Sequence, residues 1–151
     1  MMLLRNKETN RKQGDSFRQQ QENWRRAYAE ALSLRERFPH VEQLVLEMAF
    51  TDLQEFGTYS PQMRSFSAPA KAFFAIACPR TLCLDGGFDL DVVVCTMLAR
   101  GGVTAAGTLV CQGQINPTRP DHAPCQLQMH YRFEVLYDAP QVAAPKRRSR
   151  A

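Results

Sequence analysis

The sequence predicts an α+β fold, in which a mainly antiparallel sheet of about four strands packs with an N-terminal helix. Apolar and polar residues alternate for thirteen residues over 125–137, which is typical of a long, half-buried strand. A shorter alternation over 43–51 predicts a second strand. Residues 16–37 instead carry apolar side chains at three- and four-residue steps, which indicates an amphipathic helix.

The helix is expected to begin at Ser16, because Ser16 and Gln19 have the spacing of a capping box. It is expected to end at Phe38, because the residue before Pro39 is disfavoured in the α region. Its apolar stripe consists of Trp24, Ala27, Tyr28, Ala31 and Leu34. Residues 1–14 are charged and without periodicity, and are predicted to form a disordered, basic N-terminus.

Between the two alternating segments, residues 52–70 read as a long connection, and 71–78 and 103–111 read as two further strands. A second helix is predicted to follow Asp89 as its N-cap and to end before Gly101. Its apolar residues recur at helical spacing and are Leu90, Val93, Val94, Met97 and Leu98. The same valine-rich stretch also fits a strand that begins at Phe88.

The 151 residues are 44% hydrophobic and 23% charged, which matches a single globular domain, here placed at 15–139. Charge is unevenly distributed along the chain. Residues 1–37 carry nine Lys/Arg and five Asp/Glu, and residues 38–139 carry six and ten. Residues 140–151 carry four basic residues and no acid, and are predicted to be a flexible basic tail. The folded body is therefore acidic and both ends are basic.

The apolar start at residues 1–4 is too short for a signal peptide or a membrane span, so the protein is predicted to be cytoplasmic and not membrane-bound. Five cysteines in a reducing compartment argue against disulfides and favour metal binding or free thiols. The sequence contains no phosphate-binding or nucleophile-elbow motif, and no catalytic residue or small-molecule substrate is assigned.

Four of the five cysteines lie at the ends of predicted strands. Cys78 and Cys83 bracket a turn-rich loop, Cys111 closes one strand, and Cys125 opens the next. Two such pairs brought together would surround a zinc ion tetrahedrally, with sulfurs at about 2.3 Å. Glycines within 85–87 would let backbone amides turn toward the sulfurs. The alternative interpretation is a set of buried apolar thiols.

Residues 78–125 resemble zinc-ribbon-like domains and, more loosely, uncharacterised small bacterial proteins that carry such a site. The resemblance rests on the CPRTLC turn and on the hairpin between Cys111 and Cys125. It implies a structural zinc ion, a zinc-ribbon-like part over 71–137, and a binding role with protein or nucleic acid. It does not extend to 1–70, and the predicted helix between the two halves departs from the family's pattern.

Other residues offer weaker candidates for a site. His122, three residues before Cys125, is an alternative ligand in place of one cysteine. Cys95 lies off the apolar stripe of the second helix, with no His or Lys nearby in sequence to lower its pKa. A hard-cation site would have to use three aspartates, namely Asp85, Asp89 and Asp91.

The sequence thus predicts a non-enzymatic, zinc-stabilised interaction module with a protein partner. The alternative is a nucleic-acid-binding protein, which would act in a salt-sensitive way through its basic ends. Those ends offer Arg18, Arg25, Arg26, Lys146, Arg147, Arg148 and Arg150. An exposed aromatic patch would favour a protein partner, and a basic groove continuous with the helix would favour nucleic acid. A cysteine- or metal-dependent enzyme is the third alternative, but its catalytic constellation is missing.

Overall fold

A computed structural model describes residues 2–53, 58–115 and 123–138, with side chains described from residue 15 onward. The helices are α1 (Met2–Glu30), α2 (Leu34–Arg37) and α3 (Asp91–Ala99). The strands are β1 (Val41–Thr51), β2 (Gln62–Ser67), β3 (Ala75–Ile76), β4 (Cys83–Leu84), β5 (Phe88–Asp89), β6 (Thr104–Val110), β7 (Gln114–Ile115), β8 (Ala123–Pro124) and β9 (Gln128–Tyr137).

The main sheet has four antiparallel strands in the order β2-β1-β9-β6. The two strands with the clearest alternation, β1 and β9, lie at its centre, and Leu46 of β1 stands opposite Phe133 of β9. Each of these strands has one face on the core and one toward solvent, so apolar and polar side chains alternate along its length. The predicted α+β class is confirmed.

The core lies against one face of this sheet, and Phe74 is at its centre. The ring of Phe74 packs edge-on against Phe66 of β2, at 5.2 Å between centroids, and against Phe133 of β9, at 6.4 Å. Leu34 of α2 and Val94 of α3 are fully buried against the same cluster. Edge-on aromatic pairs add to the burial of apolar area, so this ring fixes the helices on the sheet.

One edge of the sheet differs from the prediction. The segment 52–70 is not only a connection, because Gln62–Ser67 forms β2 and pairs with β1. Within the predicted strand 71–78, only Ala75–Ile76 forms a strand, and its partner is the short strand β5, while Lys71 forms a single bridge with Ser33. β2 shows why the pattern failed: only Phe66 of its six residues is buried, so an edge strand carries little hydrophobic alternation.

The first helix begins earlier than predicted. It starts at Met2, so Ser16 lies inside it, and the backbone over 2–14 is helical where disorder was predicted. This stretch is rich in Leu, Arg, Lys, Glu and Gln, which have high helix propensity even without an apolar stripe. Lack of periodicity therefore did not imply lack of structure.

The first helix also ends earlier, at Glu30, although the apolar stripe continues to Leu34. The chain then pairs across to another segment: Ala72 donates a backbone hydrogen bond to Leu32, and Leu34 donates one to Ala70. Ser33 starts α2 with a complete capping box, in which its hydroxyl accepts from the Glu36 amide and the Glu36 carboxylate accepts from the Ser33 amide. Phe38 ends α2, as predicted for the residue before Pro39.

The second predicted helix is confirmed as α3, with Gly101 in the left-handed conformation just after its C-cap. Leu90, rather than Asp89, occupies the N-cap position, while the Asp89 carboxylate accepts from the amide of Asp91. A bidentate ion pair between Arg37 and Asp91, at 2.5 and 2.7 Å, ties α2 to α3. Hydrogen bonds from Arg37 lower the pKa of the Asp91 carboxyl.

Two predictions concern parts of the chain that the structure does not describe. The basic tail at 140–151 and the alternative ligand His122 lie outside the described residues. Across the described helices, none has the length and apolar character needed to cross a membrane.

Candidate metal centre

The four cysteines predicted to bind metal come from four different backbone segments. Cys83 begins β4 and stands opposite Ile115 of β7 in a small three-stranded sheet, β4-β7-β8. Cys78 follows β3 by two residues, and Cys111 and Cys125 follow the last residues of β6 and β8. The four cysteines thus lie at or near the ends of β3, β4, β6 and β8.

The four sulfurs form one tight cluster. All lie within 4.8 Å of one another, and Cys83, Cys111 and Cys125 are buried while Cys78 is half-buried. Two separations are shorter, 3.7 Å between Cys78 and Cys125 and 3.6 Å between Cys83 and Cys111. A tetrahedron with metal–sulfur bonds of about 2.3 Å has edges of about 3.8 Å. The cluster has the size of a four-thiolate metal site and could hold a metal ion.

Backbone hydrogen bonds fix Cys111 and Cys125 beside each other. The amide of Cys111 donates to the carbonyl of Leu127 at 2.8 Å, and the amide of Cys125 donates to that of Gly113 at 2.9 Å. Gln126, between two buried residues, has a φ of 54° in the left-handed region. The strand β9 begins only at Gln128, although buried and exposed residues continue to alternate back to Cys125.

Two glycines let the backbone approach the sulfurs closely. A Cβ placed on Gly86 would overlap the sulfurs of both Cys83 and Cys111, and one placed on Gly113 would overlap Cys83. The predicted role of 85–87 is confirmed, because the Gly87 amide donates to the Cys111 sulfur at 3.2 Å. Such N–H···S contacts stabilise thiolates and orient metal ligands.

Arg80 supplies positive charge beside the cluster, a feature that the sequence analysis missed. Its guanidinium donates to the Cys125 sulfur at 3.2 Å and to the Cys125 carbonyl at 2.5 Å. The same group forms an ion pair with Asp52, and both side chains are almost completely buried. Nothing in the CPRTLC turn distinguishes this arginine from an exposed one, because its partners lie 28 and 45 residues away.

Without a cation, the thiols of Cys78, Cys83 and Cys111 oppose one another's ionisation. Hydrogen bonds donated by Cys78 and Cys83 lower the pKa of the Cys111 thiol. The same hydrogen bonds raise the pKa of the Cys78 and Cys83 thiols, and burial raises both further. A divalent cation removes this conflict, because it attracts all four thiolates at once.

The remaining candidates stay apart from the cluster. Asp85, Asp89 and Asp91 do not come together as a possible cation site in the described part of the chain. Cys95 is half-buried on α3, and its sulfur accepts from the Arg37 guanidinium at 3.2 Å. Cys95 therefore has a cationic neighbour, Arg37 of α2, that the sequence did not indicate.

The predicted nucleic-acid residues on α1 face solvent. Arg18 pairs with Asp15, and Arg25 pairs with Glu22 at 3.1 Å, each three residues away on the helix. Arg26 is also exposed. The basic residues of the tail, Lys146, Arg147, Arg148 and Arg150, lie beyond the described part of the chain.

Helix α1 crosses beside the cysteine cluster and leaves a cavity on each side. The rings of Trp24 and Tyr28 both meet Phe73 edge-on, at 5.6 Å between centroids. One cavity, of about 530 Å³, lies between α1 and the loop that carries Cys78 and Cys83. The other, of about 510 Å³, lies between α1 and β2 and is lined by all three rings.

Comparison of the chain with protein families, with curated proteins and with solved structures finds no match. The class of protein is therefore defined by its own geometry: an α+β domain with a clustered four-cysteine site that could bind a metal.

Proposed function

We propose that this protein is a zinc-stabilised interaction module, in which one zinc ion is held by Cys78, Cys83, Cys111 and Cys125. The observation that carries the proposal is the cluster itself, four sulfurs within 4.8 Å of one another. Thiolate sulfur is a soft ligand, and a tetrahedral site made only of cysteines is typical of structural zinc.

The role of the zinc ion is structural. Catalytic zinc has three protein ligands and an open position for water or substrate, whereas four cysteines fill the tetrahedron. Three of the four sulfurs are also buried, which leaves little room for a substrate. The ion would join the small sheet β4-β7-β8 to the ends of β3 and β6, segments with little apolar area of their own.

A protein partner is favoured by the groove between α1 and β2. Its aromatic wall consists of Trp24, Tyr28 and Phe73, and Tyr28 is 52% exposed. Half-exposed aromatic rings in a concave surface are typical anchors for a partner side chain. We infer that the groove binds a protein segment through apolar side chains that pack against this aromatic wall.

Nucleic acid is the second candidate for this groove, since basic and aromatic residues stand together there. Two of its three cations are already engaged, however. Arg25 pairs with Glu22, and the Lys71 ammonium donates to the carbonyls of Ala29 and Ala31. Engaged cations release fewer phosphate counterions, so this groove suits a protein better.

The proposal is tested by the metal content of the purified chain. Elemental analysis is expected to give one zinc per protein, and changing Cys83 to serine is expected to abolish it. Because the free energy of metal binding contributes to folding, a chelator is expected to lower the unfolding temperature of the unchanged protein. An iron content with visible absorption would contradict the choice of zinc.

Cys95→Ser is the matched control, since Cys95 is half-buried but lies outside the cluster. It is expected to bind zinc and unfold like the unchanged protein. Substoichiometric metal, with normal folding in all four serine variants of the cluster, would contradict a metal centre.

A further inference from the structure

The four cysteines are not equally accessible. Cys78 and Cys83 both line the cavity of about 530 Å³ beside α1, but Cys83 is buried, with 4% of its surface exposed, whereas Cys78 is half-buried. The opposite wall of that cavity is formed by α1 side chains, among them Phe17, Gln20 and Trp24. Of the two cysteines that line the cavity, Cys78 is the more exposed, so a small molecule that enters from solvent meets Cys78 first.

The cluster also divides into two pairs. The sulfur of Cys78 lies 3.7 Å from that of Cys125, and the sulfur of Cys83 lies 3.6 Å from that of Cys111. An attacked Cys78 thus has an adjacent thiol that can complete a disulfide. Arg80 lines the same cavity and donates to the Cys125 sulfur at 3.2 Å, so the second thiol is held in place.

We propose that Cys78 is an oxidation site, at which a hydroperoxide enters the centre and releases the metal. The proposal rests on the proposed zinc centre and adds a regulated state to it. Its basis is the combination of one half-buried cysteine among three buried ones, a cavity that this cysteine lines, and a second sulfur 3.7 Å away.

The chemistry proceeds in two balanced steps. The Cys78 thiolate attacks one oxygen of hydrogen peroxide, the O–O bond breaks, and the products are a Cys78 sulfenic acid and hydroxide. The Cys125 thiolate then attacks the Cys78 sulfur, forms the S–S bond and expels a second hydroxide. The peroxide is reduced by two electrons, the two thiolates are oxidised to one disulfide, and the zinc ion loses two of its four ligands.

A protein with two remaining thiolates holds zinc weakly, because tetrahedral sites depend on the full ligand set. Metal release would also loosen the β4-β7-β8 sheet, since metal binding and folding are coupled. Oxidation is therefore expected to alter the segments joined by the cluster rather than only one side chain.

The test uses the full chain, and its metal content is measured before any oxidant is added. Absence of zinc at that stage refutes the metal centre itself, and this proposal with it. With zinc bound, hydrogen peroxide is expected to release about one equivalent, as detected by a colorimetric chelator. Mass spectrometry after differential alkylation is expected to show a Cys78–Cys125 disulfide that forms together with the release.

Two substitutions on α1 test the route through the cavity without changing a metal ligand. Trp24 and Tyr28 make the same edge-on contact with Phe73, but only Trp24 lines the cavity that leads to Cys78. Trp24→Ala is expected to speed peroxide-dependent zinc release several-fold, and Tyr28→Ala is expected to leave the rate nearly unchanged.

Several results would overturn this proposal while leaving the zinc centre intact. These are zinc that stays bound in peroxide, first oxidation at Cys83 or Cys111, or equal rates in the two α1 variants. Release that disappears in Cys95→Ser would place the reactive thiol on α3 instead.

Discussion

Arg80 shows how much of the four-cysteine cluster depends on a single side chain. With the proposed zinc ion bound, four thiolates and the ion would carry a net charge of about −2, which is costly to bury without a nearby cation. The Arg80 guanidinium lies within 3.2 Å of the Cys125 sulfur and also pairs with Asp52. Arg80 thus connects the cluster to the end of β1 through buried charge.

Gly86 is the residue at which a minimal change tests the centre most directly. Its φ is not in the left-handed region, so alanine causes no conformational strain there. The added methyl group would instead overlap the sulfurs of Cys83 and Cys111. Gly86→Ala is expected to weaken metal affinity by about 10–100-fold, the range typical of groups that orient ligands. Competition with a zinc chelator of known affinity measures this.

Gly101→Ala is the complementary control. Gly101 has a φ of 67°, and a Cβ there meets nothing within 4 Å, so the cost is conformational and not steric. The variant is expected to lose about 1 kcal/mol of unfolding free energy and to keep its metal affinity. Equal loss of metal in both variants would mean that Gly86 acts through general stability.

At the scale of elements, β9 organises the molecule, because it pairs with β1 on one edge and β6 on the other. One face of β9 contributes Met129 and Phe133 to the core, and Cys125 lies three residues before the strand begins. A single strand therefore joins the hydrophobic core to the cysteine cluster.

The two faces of β9 are expected to respond very differently to truncation. Phe133 is completely buried and packs against the ring of Phe74, so Phe133→Ala is expected to cost about 3–5 kcal/mol. Arg132, on the other face, pairs with Glu134 in an exposed setting, and Arg132→Ala is expected to cost well under 1 kcal/mol. Urea unfolding monitored by fluorescence compares the two, and similar losses would contradict the assignment of faces.

From residue 15 onward, helix α1 is held to the rest of the molecule by few side-chain contacts. Trp24 and Tyr28 contact Phe73, and the side-chain carbonyl of Gln20 accepts from the Asp85 amide at 2.5 Å. Most side chains of α1 from residue 15 onward are exposed. The helix thus lies over the loop that carries Cys78 and Cys83 and buries little apolar area.

At the scale of the whole molecule, the charge is divided between an acidic body and basic ends. Of the basic residues on α1, Arg18 and Arg25 pair with acidic neighbours. Any affinity for nucleic acid is therefore expected to depend mainly on residues 140–151, with their four basic residues.

A salt titration tests this dependence. Binding to a duplex oligonucleotide falls with a log–log slope of about −0.9 per phosphate contact. Removing 140–151 takes away four positive charges, and the slope is expected to flatten by up to about 3.6 while zinc content stays the same. If neither form binds at low salt, the nucleic-acid alternative fails. If both bind with the same slope, the tail plays no part.

The sequence by itself determined the elements whose pattern is complete within a few neighbouring residues. The alternation of β1 and β9, the apolar spacing of α3 and the stop at Phe38 all arise within a few residues. The four cysteines could also be chosen correctly for a cluster, because each stands where a paired segment begins or ends. Local patterns predict such features because strand and helix periods are properties of the backbone itself.

Only the tertiary structure decided the features that depend on distant partners. α1 ends at Glu30 because residues 32–34 pair with 70–72, although the apolar stripe continues. β2 is a strand because β1 offers it an edge, and Arg80 is buried because Asp52 and Cys125 receive its charge. Long-range hydrogen bonds and buried ion pairs overrule local propensity, since an unpaired polar group in the interior costs more than a propensity preference provides.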